Sequence, residues 1–330
     1  MTPLPLLSVS LGYWQDRPPE EALVTARAAD RLGFGELWIG EMATYDAFSL
    51  ATAVAAATGH ISLTVGPLAV AVRDPMTIAR GVASVAGLTG RRVGVAIGTS
   101  SPVVVGEWHG RDRTRSGTAL RESALAVRRL LDGHKTTFEG EVVRTRGYHL
   151  RLPAPGSELT VAAFGPSAVR TAARHADRMV LNLVTPRSAA DLAQRMRDEA
   201  ERAGRDAPRV AAWISAAVGP SDAALEQIRR AVVAYLAAPG YGEMFAEAGF
   251  GELVSFARTR PHPRDLLAAI PAELVASVAL VGDGDAVRAR LEEYAAAGVD
   301  EVAVVPASVP EDPAGEHTLA ALREMAGRDR

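Results

Sequence analysis

The chain has 330 residues, is 48% hydrophobic and carries a formal net charge of −3, with no cysteine. Acidic and basic residues are interspersed, so neither a nucleic-acid tract nor a long acidic tail is present, and the missing cysteines exclude disulfides, thiolate metal sites and a cysteine nucleophile. No signal-peptide pattern opens the chain and no apolar stretch reaches membrane-spanning length; a soluble, cytoplasmic α/β enzyme without nucleic-acid or membrane partners is expected.

In chain order, the first apolar run, Leu6–Leu11, predicts a strand followed by Gly12-Tyr13-Trp14. Ala22, Ala26 and Ala29 recur on one helical face before Gly33. Strand two is predicted at Glu36–Gly40, closed by Glu41-Met42, with Tyr45 and Asp46 just behind. An apolar helix, Leu50–Ala57, precedes strand three at Ile61–Gly66, which runs into Pro67 and then Arg73-Asp74-Pro75. Strand four, Val93–Gly98, leads to Thr99-Ser100-Ser101-Pro102 and to Glu107-Trp108-His109-Gly110. Leu120, Ala124, Val127 and Leu131 mark the next helix. Residues 133–158 are rich in glycine and proline and predict small strands and turns. Strand five, Leu159–Ala163, enters Phe164-Gly165-Pro166-Ser167, and strand six, Met179–Asn182, is followed by Thr185. After strand seven, Val210–Ala217, residues 239–272 predict short helices and loops. Val287, Leu291 and Tyr294 then define a helix before strand eight, Glu301–Val305.

Strands alternating with helices over the whole length argue for a parallel sheet. The first and last joints share one pattern: Gly33-Phe34-Gly35-Glu36-Leu37-Trp38-Ile39 and Gly298-Val299-Asp300-Glu301-Val302-Ala303-Val304. Each places a glycine suited to a helix end before an apolar run covered on both faces. A series that begins and finishes on the same joint predicts an α/β (β/α)8 TIM barrel, a single domain over residues 1–330 with insertions after strands four and seven.

Active sites of such barrels lie at the C-terminal ends of the strands. At the fifth, small residues lead straight into a helix beginning Gly165-Pro166-Ser167, whose free N–H groups suit an anion; an ordinary helix start has the same look. Thr99, Ser100 and Ser101 form a polar cluster that serves either a cofactor or a turn, and no G-x-S-x-G elbow supports a serine hydrolase. Trp14 and Trp108 suit a ring-binding pocket or ordinary packing. The seven histidines show no metal-ligand spacing, so no metal is expected; His109, in a polar loop, is the one that stands out. Glu41 closes strand two and is either a proton donor or the structural partner of an arginine such as Arg73.

Taken together, these segments resemble the bacterial luciferase-like family and, within it, the deazaflavin (coenzyme F420)-dependent oxidoreductases. The likeness rests on Gly33–Glu41, on Val65-Gly66-Pro67 with Arg73-Asp74-Pro75 and Arg92–Thr99, on Ala162–Ala168 with Leu181–Pro186, and on Val281-Gly282-Asp283 with Gly298–Glu301. The resemblance implies a barrel holding F420, or alternatively FMN, on its C-terminal face. Its phosphate would lie near Phe164–Ser167, and a bulge with a cis peptide would fall near Gly66–Pro67. Cofactor contacts would then involve Gly66, Pro67, Thr99, Ser100, Ala163, Phe164, Gly165, Pro166, Ser167 and Asn182. Tyr13, Trp14, Met42 and Trp108 would line the substrate space, and Glu41, His109 and Tyr45 would be the catalytic candidates. The resemblance also implies a homodimer and a small-molecule substrate. One departure matters. Deazaflavin members often carry Asp-His at the end of strand two, where this chain has Glu41-Met42. Two other functions stay open: an FMN-dependent monooxygenase fed by a partner reductase, and a non-catalytic flavin-binding barrel.

Overall fold

A computed structural model describes residues 3–12, 14 and 16–327; Tyr13, among the expected substrate-binding residues, lies outside them. The strands are β1 (Leu6–Ser10), β2 (Glu36–Ile39), β3 (Ser62–Ala69), β4 (Val93–Gly98), β5 (Thr136–Glu139), β6 (Arg144–Tyr148), β7 (Leu159–Ala162), β8 (Arg178–Asn182), β9 (Arg209–Val218), β10 (Ala279–Gly282) and β11 (Glu301–Pro306). The main sheet runs β10-β9-β11-β1-β2-β3-β4-β7-β8, and a further β9–β8 pairing closes it. The fold is thus a (β/α)8 barrel, and the eight strands of the closed ring are the eight that the apolar runs predict.

The sequence reading needs one correction. It passes over β10, the four residues Ala-Leu-Val-Gly, which pair with the end of β9 from Ala279 opposite Ser215 to Gly282 opposite Val218. So short a run carries no periodicity of its own; it becomes a strand because the ten-residue β9 offers it the edge opposite β11, Ser215 and Ala216 pairing with both neighbours.

By its contacts the chain divides into two compact units. One comprises Gly33–Val180 and Gln194–Val210. Its strands read as continuous apolar runs because both faces are covered: Leu37, Trp38, Ile39, Val95, Ala96 and Ile97 are all fully buried. The helix Pro75–Thr89 shows how local chemistry sets its limits. Asp74 accepts from the Thr77 backbone N–H at 2.9 Å, Pro75 occupies the first turn, and Gly90 ends the helix at φ 66°.

Where these strands begin, a buried cation is fully compensated. Arg178 is 0% exposed and donates to Glu36 Oε1 at 2.7 Å and Oε2 at 2.9 Å, to Thr64 Oγ1 at 3.0 Å and to Thr160 Oγ1 at 3.2 Å. Its guanidinium also lies 4.1 Å from the centre of the Trp38 ring. Burial alone would raise the Glu36 carboxyl, but Arg178 outweighs it and holds Glu36 below the ordinary range. A buried charge with this many partners is costly to orphan.

β5 and β6 form an antiparallel hairpin between the helix Ser116–Leu131 and β7. The buried Glu122 of that helix accepts the backbone N–H groups of Glu141 at 3.0 Å and of Val142 and Val143 at 2.9 Å. A Cβ on Gly140 would lie 2.3 Å from Glu122 Oε2, so this turn needs glycine for the approach. Burial pushes the Glu122 carboxyl up, yet the three N–H groups outweigh it and keep the carboxyl below its ordinary range.

The other unit comprises Met1–Leu32, Leu181–Ala193 and Ala211–Arg330. Here β1 pairs with β11 and β11 with β9. Ser8 donates to Glu301 Oε1 at 2.6 Å, and Tyr294 donates to the Val184 carbonyl at 2.7 Å. Gln227 bonds Ser308 through both backbone groups, at 2.6 and 2.8 Å. The segment expected to be short helices and loops contains Tyr241–Phe245, Gly251–Arg258 and Pro263–Ala269, with Ala272–Val278 directly before β10.

Candidate functional site

In the unit containing β2, β3, β4 and β7, most candidate residues follow the C-terminal ends of those strands. β3 carries an irregularity there: its register with β4 shifts between Val65 and Leu68. The Gly66–Pro67 peptide is cis, as the resemblance implies, and Gly66 has φ 117°. A Cβ on Gly66 would lie 2.1 Å from the Ala96 carbonyl oxygen, so only glycine fits the bulge.

Glu41, after β2, is not a free acid. Arg73 Nε donates to its two oxygens at 3.0 and 2.9 Å, and Arg73 Nη2 contacts both Glu41 and Asp46. The guanidinium also lies 5.3 Å from the centre of the Phe48 ring. Bonding to Glu41 holds Arg73 above its ordinary range, aided by Asp46. Of the two roles that the sequence leaves open for Glu41, partnership with Arg73 is the one this geometry displays. Met42 and Tyr45 are exposed at 43% and 39%, available to a ligand.

After β4, Ser100 adopts φ 56°, uncommon for a residue with a side chain, and its carbonyl accepts from Arg113 Nη2 at 2.5 Å. The next turn, Val103–Trp108, is a π-helix that ends at His109, and Trp108 is half exposed. Such turns recur at functional positions.

The helix after β7 begins at Pro166. Gly165 caps it without any side-chain hydrogen bond, and no acidic residue stands in its first turn. A Cβ placed on Gly165 would meet no atom within 4 Å, and one placed on Gly117 would lie 2.5 Å from Ser167 Oγ. The helix start is therefore open to an anion, and the glycine at 117 leaves room for the serine hydroxyl.

In the other unit, Asn182 ends β8 and Leu183 follows at φ 49°. The phenols of Tyr235 and Tyr241 both lie close enough to the Asn182 side chain to interact with it, and their rings meet edge-on at 4.9 Å. Burial raises both phenols above their ordinary range. Trp14 donates its indole N–H to the Pro306 carbonyl at 2.9 Å, at the end of β11. Among the described residues, no group of three or more His, Asp or Glu is placed to hold a metal, and no helix is long and apolar enough to cross a membrane.

The family model for luciferase-like monooxygenases matches residues 7–301. The chain belongs to the luciferase-like monooxygenase family. A Mycobacterium tuberculosis protein provisionally named a coenzyme F420-dependent oxidoreductase is 25% identical, over 92% of this chain and 95% of its own. Two solved structures share the fold. An F420-dependent secondary alcohol dehydrogenase in complex with an F420–acetone adduct has a TM-score of 0.82 at 16% identity, covering 99% of both chains. The oxygenating constituent of 3,6-diketocamphane monooxygenase from Pseudomonas putida, in complex with FMN, has a TM-score of 0.71 at 16% identity, covering 98% of both. This luciferase-like barrel also holds groups that sequence reasoning did not single out for a site. Tyr235 and Tyr241 join Asn182 from more than fifty positions away, which no local pattern signals. Arg111, Arg115 and Arg144 line a cleft together, although their spacing in the chain suggests nothing.

Proposed function

We propose that the protein is an F420-dependent oxidoreductase that transfers a hydride between the deazaflavin and a small organic substrate. The open, uncapped helix start at Gly165–Ser167 carries this reading: its free N–H groups and the space beside Gly165 suit the phosphate of such a cofactor. The F420-dependent name of a relative aligned along nine-tenths of the chain supports the choice of deazaflavin over flavin. When bound, the deazaflavin supplies the hydride chemistry. The chain's own residues position and protonate. The backbone at Gly165–Ser167 and the Ser167 hydroxyl hold the phosphate, and the Gly66–Pro67 bulge with Ala163 and Phe164 backs the ring. Glu41 fixes Arg73 as a charged contact for substrate, while Tyr45 or His109 exchanges the proton that Met42, in the place of a histidine, cannot. Met42 and Trp108 shape the apolar part of the substrate space. We also propose a homodimer.

Titration of the purified protein with F420 and with FMN, each in both redox states, tests the assignment. Tighter binding of F420 is expected. Micromolar FMN binding with no F420 binding would instead favour the monooxygenase reading, for which the FMN-bound structural neighbour is the precedent.

A further inference from the structure

A cleft of about 330 Å³ opens within the unit that carries β3 and β4, near the lower end of the about 300–1,000 Å³ usual for ligand sites. Its walls come from three places: Val70 after β3, Thr99 after β4, and the hairpin residues Val143 and Arg144 facing the start of the helix Ser116–Leu131. Three arginines line it, Arg111, Arg115 and Arg144, all exposed. Arg111 and Arg115 have no side-chain hydrogen bond or salt bridge among the described residues, and Arg144 spends only its Nε, on the Gly140 carbonyl at 3.3 Å.

Two acids also line the cleft, but both are already engaged. Asp74 accepts from the Thr77 N–H at 2.9 Å and its hydroxyl at 2.7 Å, and Asp112 accepts from the Thr114 N–H at 2.9 Å and its hydroxyl at 2.5 Å. The cleft therefore offers guanidinium donors in excess of the acceptors around it. Guanidinium forks match carboxylates. The cleft also adjoins the proposed phosphate site, because its lining residue Ser116 is the chain neighbour of Gly117, which sits against Ser167 Oγ.

We propose that this cleft receives the oligoglutamate tail that F420 carries beyond its phosphate, with the tail carboxylates paired to Arg111, Arg115 and Arg144. The inference rests on the F420 reading and adds a binding determinant to it. A cofactor whose phosphate lies at Gly165–Ser167 delivers the next part of its tail to a cleft whose three guanidinium groups exceed its carboxylates, Arg115 alone acting on Asp112. FMN ends at its phosphate and gains nothing there.

The test compares fluorescence-detected affinities for three deazaflavins: the riboflavin-like core without phosphate, the phospholactyl form without glutamate, and forms with several glutamates. In the wild type, adding glutamates should tighten binding at least tenfold, and salt should weaken that gain. In Arg111→Gln/Arg115→Gln and in Arg144→Gln the gain should shrink, while affinity for the glutamate-free form and for FMN, and the thermal midpoint, stay put. Inorganic phosphate should compete with the phospholactyl form but leave the glutamate gain intact. Equal wild-type affinity for the short and long tails overturns the tail site and leaves the F420 reading standing. Variants that lose the short and long forms alike would show that the arginines serve the phosphate or the fold, again overturning it. Failure of the wild type to bind any deazaflavin overturns both.

Discussion

Replacing Gly165 by valine tests the anion site without disturbing the fold around it. Gly165 sits at φ −79° and ψ 161°, extended backbone open to any residue, and a Cβ there meets nothing within 4 Å. The folded state should therefore accept valine without strain. Removing glycine from the unfolded chain contributes about 0.4–1 kcal/mol in favour of folding, but valine is a poorer N-cap than glycine by a similar amount, so the thermal midpoint of the unliganded protein should move little. Binding should respond differently. The γ-methyl groups would occupy the space through which a phosphate reaches the helix N–H groups. Hydrogen bonds to a charged group contribute about 1.5–3 kcal/mol each. Loss of even one weakens binding about tenfold or more, since about 1.4 kcal/mol is a factor of ten. Fluorescence titration with F420 and with its phosphate-free core separates the effects: only the phosphorylated ligand should lose affinity. Unchanged F420 affinity in a stably folded Gly165→Val protein would refute the phosphate assignment. A collapse of the unliganded midpoint would show that Gly165 serves packing instead.

Four more outcomes follow from the geometry. Glu41→Gln keeps most of the hydrogen bonding to Arg73 but removes the charge, so turnover should fall less than about tenfold; a loss of about 10²-fold or more, the scale of general acid–base catalysis, would restore Glu41 as the proton donor. Gly66→Ala should lower the thermal midpoint or abolish soluble protein, because its Cβ meets the Ala96 carbonyl and backbone strain of this kind costs about 1–3 kcal/mol; a wild-type midpoint would show that the bulge relaxes freely. Arg178→Met should cost about 3–5 kcal/mol in urea denaturation by taking from the partly buried Glu36 its only arginine hydrogen bonds among the described residues, and Glu36→Leu in the same chain should recover part of it; no recovery would mean that Arg178 acts through Trp38, Glu158 and the threonines rather than through Glu36. Glu36 and Glu122 both have depressed carboxyl pKa values, so their stabilisation is complete above the unfolded value of about 4.3 and is lost as pH falls through their folded values. Stability measured against pH should accordingly drop below about 4.3, and less steeply in Glu122→Gln; identical acid slopes would exclude Glu122 from the effect.

The barrel was legible because its strands are buried on both faces, so Val93–Gly98 or Leu159–Ala162 stands out as an apolar run whatever surrounds it. β10 was not, since pairing with the free edge of β9 makes it a strand. The site divides along the same line. Gly165-Pro166-Ser167 announces itself through helix-start chemistry, and Gly66-Pro67 through a glycine and a proline where a strand should continue. Glu41 could be located but its role could not be read, because the deciding fact is where the Arg73 side chain points, thirty-two positions away. The tyrosines on Asn182 and the arginines of the cleft are convergences of distant segments, and no window along the chain contains them.

The buried Arg178 cluster has an evolutionary consequence. Glu36, Thr64, Thr160 and Arg178 belong to the opening residues of their strands, whereas Glu41, Thr99, Ser100 and Phe164 follow the far ends of theirs. A mutation at the far ends spares the anchoring charges, so novelty there is tolerated more readily. Substitutions at Glu41, Met42, Thr99 or Ser100 can therefore change what the mouth of the barrel binds while the charges that hold its base folded stay in place.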